Sequence, residues 1–232
     1  MAESGGNNSS AIPSMKVALI HDWLTGMRGG EKVLEVFCEL FPQAEIFTLF
    51  YNPGKLSPLI EEKTIRTSYL QKFPFVRNNY RQYLPLFPGA MERFDLSRFD
   101  LVISSSHCVA KGARPRPGAK HICYCHTPMR YIWFFFNEYF GHYPAWKRGI
   151  IKICSKRLKK WDLASVNRVD EYIANSRTVC KRINDIYQRK AETIYPPVDT
   201  NVISAAPGRN RESFYLCVSG LVPYKRIDLL ID

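Results

Sequence analysis

Short apolar runs alternate with helical patterns along most of this chain, and that alternation restricts its fold more than any other feature. Residues 15–20 read as a strand, an apolar run stopped by turn residues. From Gly30 onward, Val33, Leu34, Phe37, Leu40 and Phe41 recur at helical spacing until Pro42 ends the pattern. Further strands are predicted over 45–50, 64–70, 99–104, 120–125, 171–174 and 191–195. Helices are predicted over 79–94, interrupted at Pro85 and Pro88, and over 146–167 and 177–187. Strands of this kind, separated by helices, predict an α/β fold: a Rossmann-like parallel sheet with helices on both faces. Ligands of such sheets bind outside the carboxyl ends of the strands. The turns at Gly26, at Ser104, at residues 125–127 and at Asn175-Ser176 are therefore expected along one edge.

Composition shifts divide the chain. Residues 1–14 are small and polar, read as a disordered tail without the apolar segment of a secretory signal. Residues 15–198 carry the α/β pattern. Residues 199–212 are polar with Pro and Gly and read as a linker. A strand over 214–218 and a helix opening in VPYKRIDLLID then begin a second domain, 213–232, too short to bury a core. No apolar run approaches the ~18–20 residues of a membrane span. Seven irregularly spaced cysteines fit reduced thiols and a cytoplasmic setting. HICYCH, residues 121–126, invites a metal reading. Cys123 and Cys125 share one face of a strand, however, and no second Cys or His pair follows at zinc spacing, so no metal is expected.

The turn after the first strand, HDWLTGMRGGEKVLE, holds Gly26, Gly29 and Gly30. It lacks the G-x-G-x-x-G spacing and the acid after strand two that a dinucleotide site needs, and no G-K-[ST] follows for a Walker loop. Gly29 and Gly30 would let backbone approach a ligand at a helix N-terminus, with Glu31 in the first turn. A plain tight turn before a capped helix fits these residues equally well. His126 directly follows a strand and is a candidate acid, base or hydrogen-bond partner, or a histidine satisfied by local backbone. His21 and His107 lie similarly, so three histidines are expected near three strand ends.

The net charge is +12, and residues 147–160 hold seven Lys or Arg and no acid. The favoured reading of that helix packs Ile150, Cys154, Leu158 and Trp161, leaving Arg148, Lys152, Lys156 and Lys159 in solvent. A sharper reading adds an anionic membrane surface, because residues 131–146 carry nine aromatics beside the basic helix. Nucleic acid ranks last, since no nucleic-acid module is visible.

In order, GGEKVLE, HTPMRYIW, ANS before a helix, YPPVDT and SGLVPYKRIDLLI resemble glycosyltransferase family four, from about residue 15 to the last. The resemblance implies the GT-B arrangement of two Rossmann-like domains. It also implies transfer of a hexose, with mannose as a guess, from a GDP- or UDP-linked nucleotide sugar. Retention of configuration, no metal and no separate cofactor are further implications, as is a glycan or lipid-linked acceptor in bacterial surface polysaccharide synthesis on the inner membrane face. Matched by position, Gly29, Gly30 and Glu31 belong to the donor and acceptor loop, His126 is the active-site histidine, and Lys225 binds the donor diphosphate. Two departures stand out. Gly220 replaces an arginine common five residues before that lysine, and the family's glutamate pair would lie beyond residue 232. The chain by itself is accordingly expected to bind donor weakly and to transfer little sugar. The alternatives are a non-catalytic glycan- or membrane-binding module and, against the motif evidence, a nicotinamide oxidoreductase.

Overall fold

The computed structural model describes residues 15–200, 213–219 and 227–230. In chain order the elements are β1 (Val17–His21), α1 (Gly29–Leu40), β2 (Glu45–Thr48), α2 (Pro58–Glu61), β3 (Ile65–Thr67), α3 (Val76–Asn79) and α4 (Phe87–Met91). Then come β4 (Leu101–Ser106), β5 (Lys120–Cys125), α5 (Arg130–Trp133), α6 (Phe136–Phe140), α7 (Ala145–Ala164), β6 (Glu171–Ala174), α8 (Arg177–Tyr187) and β7 (Ala191–Thr193). The strands form one sheet in the order β3-β2-β1-β4-β5-β6-β7, every pair parallel. This is the Rossmann-like α/β sheet that the strand pattern predicts.

The central strand shows why apolar runs read so clearly. Every residue of β1 is buried. Because side chains alternate across a strand, Ala18 and Ile20 enter one core with Phe47, Phe50, Phe87 and Val102. Val17 and Leu19 enter the opposite core with Leu34, Cys38, Ile46 and Ile103. A strand with two covered faces needs apolar residues at both parities, hence a run and not an alternation.

Several boundaries differ from expectation, each for a local reason. The strand expected over 64–70 stops at Thr67, because Ser68 caps a 3-10 turn, its Oγ accepting from the Leu70 N–H at 3.2 Å. The interrupted helix over 79–94 is α3, a 3-10 segment containing Pro85, and α4 with Pro88 in its first turn. The fourth strand runs two residues further than expected and takes in Ser104, Ser105 and Ser106, all buried. The serine run that looks like a turn is thus the end of a central strand. Residues 214–218, expected as a strand, are exposed chain with no sheet partner among the described residues. Residues 227–230 form a 3-10 turn, while the linker segment 201–212 and Lys225 lie outside the described residues. No helix among the described residues is long and apolar enough to cross a membrane.

The largest correction concerns α7. Its C-terminal half packs through Ser155, Leu158 and Asp162, with Cys154 and Trp161 half-buried. Its N-terminal half stands clear of the domain. Trp146 is 70% exposed, Ile150 55% and Ile153 58%. Helical periodicity puts Ile150 on the face of Leu158, but among the described residues no element covers that turn.

A buried ion pair fastens the helices of this half. Asp162 is fully buried, and its carboxylate meets Lys111 Nζ at 3.0 Å. It also accepts from Trp133 Nε1 at 2.7 Å and Tyr187 Oη at 3.0 Å. Lys111 Nζ donates in addition to the Asp162 carbonyl and to Ser165 Oγ, each at 2.6 Å. α5, α7, α8 and the turn after β4 therefore share one knot. Removing one member of such a pair strands the other charge in low dielectric. Asp162→Ala is expected to lower unfolding free energy by about 3–5 kcal/mol in urea titration. A Lys111→Met, Asp162→Leu double variant is expected to lose less than the sum of the two single losses.

Candidate active site

The sheet reverses its strand order between β1 and β4, and it is outside the carboxyl ends at such a point that ligands of these sheets bind. Register brings the expected turns to this edge. His21 pairs with Ser105, Ser106 with Cys125, and Cys125 with Ala174. The Asn175 N–H continues the row by donating to the Cys125 carbonyl at 3.3 Å.

Asp22, one residue past β1, organises the edge. Its Oδ2 accepts from the backbone N–H of His107 at 2.7 Å and of Cys108 at 2.8 Å. Its Oδ1 accepts from Val109 at 2.6 Å and Ala110 at 2.7 Å. The His107 ring adds a contact from Nδ1 to Oδ2 at 3.1 Å. Four amide donors on one buried carboxylate, with the His107 ring beside them, fix the turn after β4 against β1.

This clasp gathers the three histidines. Ring centroids of His21 and His107, and of His107 and His126, are each 6.3 Å apart. Ser105 Oγ lies between the other two rings, 3.1 Å from His21 Nδ1 and 2.8 Å from His126 Nε2. His126 is set by the next link of the ladder, its backbone N–H donating to the Ser106 carbonyl at 2.8 Å. Gly30 faces the same place: a Cβ there would lie 3.5 Å from His21 Cε1 and 3.6 Å from His126 Nε2. Gly29 borders open space. Arg28 occupies the N-cap of α1 and its side chain makes no capping hydrogen bond, and the first turn of the helix, with Glu31, borders the histidines.

The structure therefore brings His126, His21, His107, Gly29 and Gly30 together. Glu31 behaves differently from the ligand-facing residue the motif suggests. It is buried, with Oε1 3.8 Å from His21 Nε2, a distance that is electrostatic contact and longer than a hydrogen bond. Burial alone would raise its carboxyl, but the adjacent His21 outweighs this and holds it below the usual range. Asp22 and Ser105 carry the geometry, and only their positions beside His21 and His107 hint at it in the sequence. Cys123 and Cys125 do share a face, as expected. That face packs against Val179, Ile183 and Tyr187, and burial pushes the Cys123 thiol up to about 12.

Electrostatics hold two imidazoles of the rim, those of His126 and His107, below the usual range. Burial pushes the His126 imidazole down to about 3, with His21 and His107 adding to the effect. Burial likewise lowers His107, against the pull of Asp22. Behind the rim, His121 is fully buried between Ser104 Oγ at 2.9 Å and the Arg168 carbonyl at 2.8 Å, and burial brings it to about 4. A neutral His126 at neutral pH is a hydrogen-bonding group, not a proton donor of imidazolium type.

A family model described as Glycosyltransferase Family 4 matches residues 27–202. None of the curated proteins matches the chain.

The depressed histidines fix a pH dependence. Above about pH 6.5 they are neutral folded and unfolded and add no slope. Below it the unfolded chain takes up protons that the folded one refuses, so stability falls until about pH 4 for His121 and about 3 for His126. The loss approaches about 1.4 kcal/mol per pH unit for each such histidine. Urea midpoints are expected to fall from pH 6.5 to 4, and His121→Asn is expected to flatten that slope.

Proposed function

The chain belongs to glycosyltransferase family 4, and on that premise we propose that it forms the acceptor-side domain of a GT-B enzyme that moves a hexose from a nucleotide sugar to a glycan or lipid-linked acceptor. The observation that carries this reading is the histidine rim beside the N-terminus of α1, with His107, His126 and α1 inside the family match and His21 just before it. Neutral imidazoles and a glycine-lined crevice suit sugar hydroxyls. The positive end of α1 suits the developing negative charge of a nucleotide diphosphate leaving group. Gly30 keeps the space between His21 and His126 open, and Gly29 admits the ligand backbone-close. Lys225 is the residue that resemblance assigns to the diphosphate, with the rest of the donor site in a following domain. Retention of configuration and the GDP or UDP identity of the donor rest on the resemblance alone.

The test is transfer by the chain extended through whatever follows it in its gene, with GDP- and UDP-hexoses and a polyprenyl-linked acceptor, the product anomer read by NMR. Turnover with retention is expected, and failure to consume any nucleotide sugar would overturn the reading. Gly30→Ala is expected to fold normally, since its Cβ meets only ordinary contacts and alanine favours a helix by up to about 1 kcal/mol. It is expected to lower kcat/KM by at least roughly tenfold by filling the crevice.

We further propose that the domain works against an anionic bilayer. The support is the free half of α7, where Trp146, Ile150 and Ile153 make one exposed apolar stripe. Lys147, Arg148, Lys152 and Lys156 stand exposed around it, with no acid from 147 to 160. Each lysine near an anionic surface contributes about 1 kcal/mol. Co-sedimentation with phosphatidylglycerol vesicles is expected, and with phosphatidylcholine vesicles it is not. Combined Ile150→Ser, Lys152→Glu and Lys156→Glu is expected to abolish it. Lys159 is left in place because it stacks on Trp133 at 4.7 Å. Undiminished binding by the triple variant would remove this helix as the contact.

A further inference from the structure

We propose that Glu31 fixes the tautomer of His126 through a relay of His21 and Ser105, so that His126 meets its ligand as a hydrogen-bond acceptor at Nδ1. The tautomer stands on geometry alone, while the ligand, a donating sugar hydroxyl, rests on the transfer reading.

Ser105 has one hydroxyl hydrogen and two imidazole nitrogens within reach, His21 Nδ1 at 3.1 Å and His126 Nε2 at 2.8 Å. With both rings neutral, two proton arrangements satisfy both contacts. In one, the hydroxyl donates to His126 and His21 Nδ1–H donates to the hydroxyl. His21 Nε2 is then a bare lone pair. In the other, the hydroxyl donates to His21 Nδ1, His126 Nε2–H donates to the hydroxyl, and His21 carries its proton on Nε2.

The far end of the relay chooses between them. His21 Nε2 is buried and has no hydrogen-bond partner among the described residues. The charged group beside it is the Glu31 carboxylate, with Oε1 at 3.8 Å. The first arrangement turns a lone pair toward that carboxylate in a low-dielectric setting, and the second turns an N–H toward it. Like against like is the costlier state where water cannot screen it. The choice passes down the chain and leaves the proton of His126 on Nε2. Its Nδ1 has no protein partner among the described residues, and His126 is only partly buried. Burial of Glu31 is what gives this meaning: a carboxylate placed to bind substrate would face the crevice, whereas this one faces the back of the relay.

Ser105 and Glu31 are therefore positioning residues for His126, and a spectroscopic readout separates that role from a structural one. Two-bond ¹⁵N–¹H correlation spectra of histidine-labelled protein at pH 8, above the ordinary imidazole range, report the protonated nitrogen of each ring. The wild type is expected to show His126 with Nε2 protonated and Nδ1 bare. Ser105→Ala and Glu31→Leu are each expected to reduce that tautomer ratio by roughly tenfold, and Ser105→Thr, which keeps the hydroxyl, to restore it. A wild-type His126 protonated at Nδ1, as a doubly protonated His21 would impose, overturns the proposal. So does a ratio unmoved by both Ser105→Ala and Glu31→Leu. The wild-type spectrum decides even if a variant fails to fold. Because it needs no substrate, a failed transfer assay leaves the tautomer result standing, and the converse also holds.

Discussion

The crevice depends on one carboxylate. Asp22 leaves β1 at the point where the sheet reverses its order and takes the backbone N–H groups of four successive residues after β4. Without that anchor the turn would carry unsatisfied buried amides, and His107 would lose its ring partner as well. With it, β1 and β4 are locked beyond their ladder bonds. His21, Ser105 and His107 then hold fixed relations in a place where a parallel sheet otherwise ends in loose loops.

The same turn continues into the rest of the domain. Ala110 rests on Asp22, while Lys111, its neighbour, reaches Asp162 on α7. Gly112 lies under the Trp161 ring, where any side chain would overlap, and its carbonyl accepts from Arg168 at 2.7 Å. Six consecutive residues thus join the histidine rim to the knot that holds α5, α7 and α8. Damage to either buried acid is felt on both sides of this bridge. The energetic scale differs, however, because Asp22 is compensated by dipoles and Asp162 by a full charge.

How much of this the sequence discloses follows from the range of each interaction. The strands are readable because strands covered on both faces need apolar runs, and their order then places His21, His107 and His126 on one edge. β4 ends two residues past its expected bound because Ser104, Ser105 and Ser106 are polar, and their partners, His121, His21, His126 and the Lys111 N–H, are distant or on other strands. Ile150 stands in solvent where the pattern predicts packing, because periodicity gives the face of a helix but not whether anything lies beneath it. The Lys111–Asp162 pair spans 51 residues and leaves no local trace. Glu31 reads as a first-turn acid in any helix, and its approach to His21 needs the folded crevice. The resemblance supplied what spacing could not, a family, and the match over 27–202 agrees with it.

The way Asp22 holds its turn bears on which residues the turn can carry. Its four hydrogen-bond donors are main-chain amides, which every residue but proline supplies. The position of residues 107–110 is therefore largely indifferent to their identity. Packing still restrains Cys108, Val109 and Ala110, which are buried, and the partly open ring at 107 touches the anchor through Nδ1 alone. An exchange of His107 for another side chain removes one ring contact and leaves in place the four amide bonds that fix the scaffold. The clasp thus separates where the rim stands from which side chain stands at position 107.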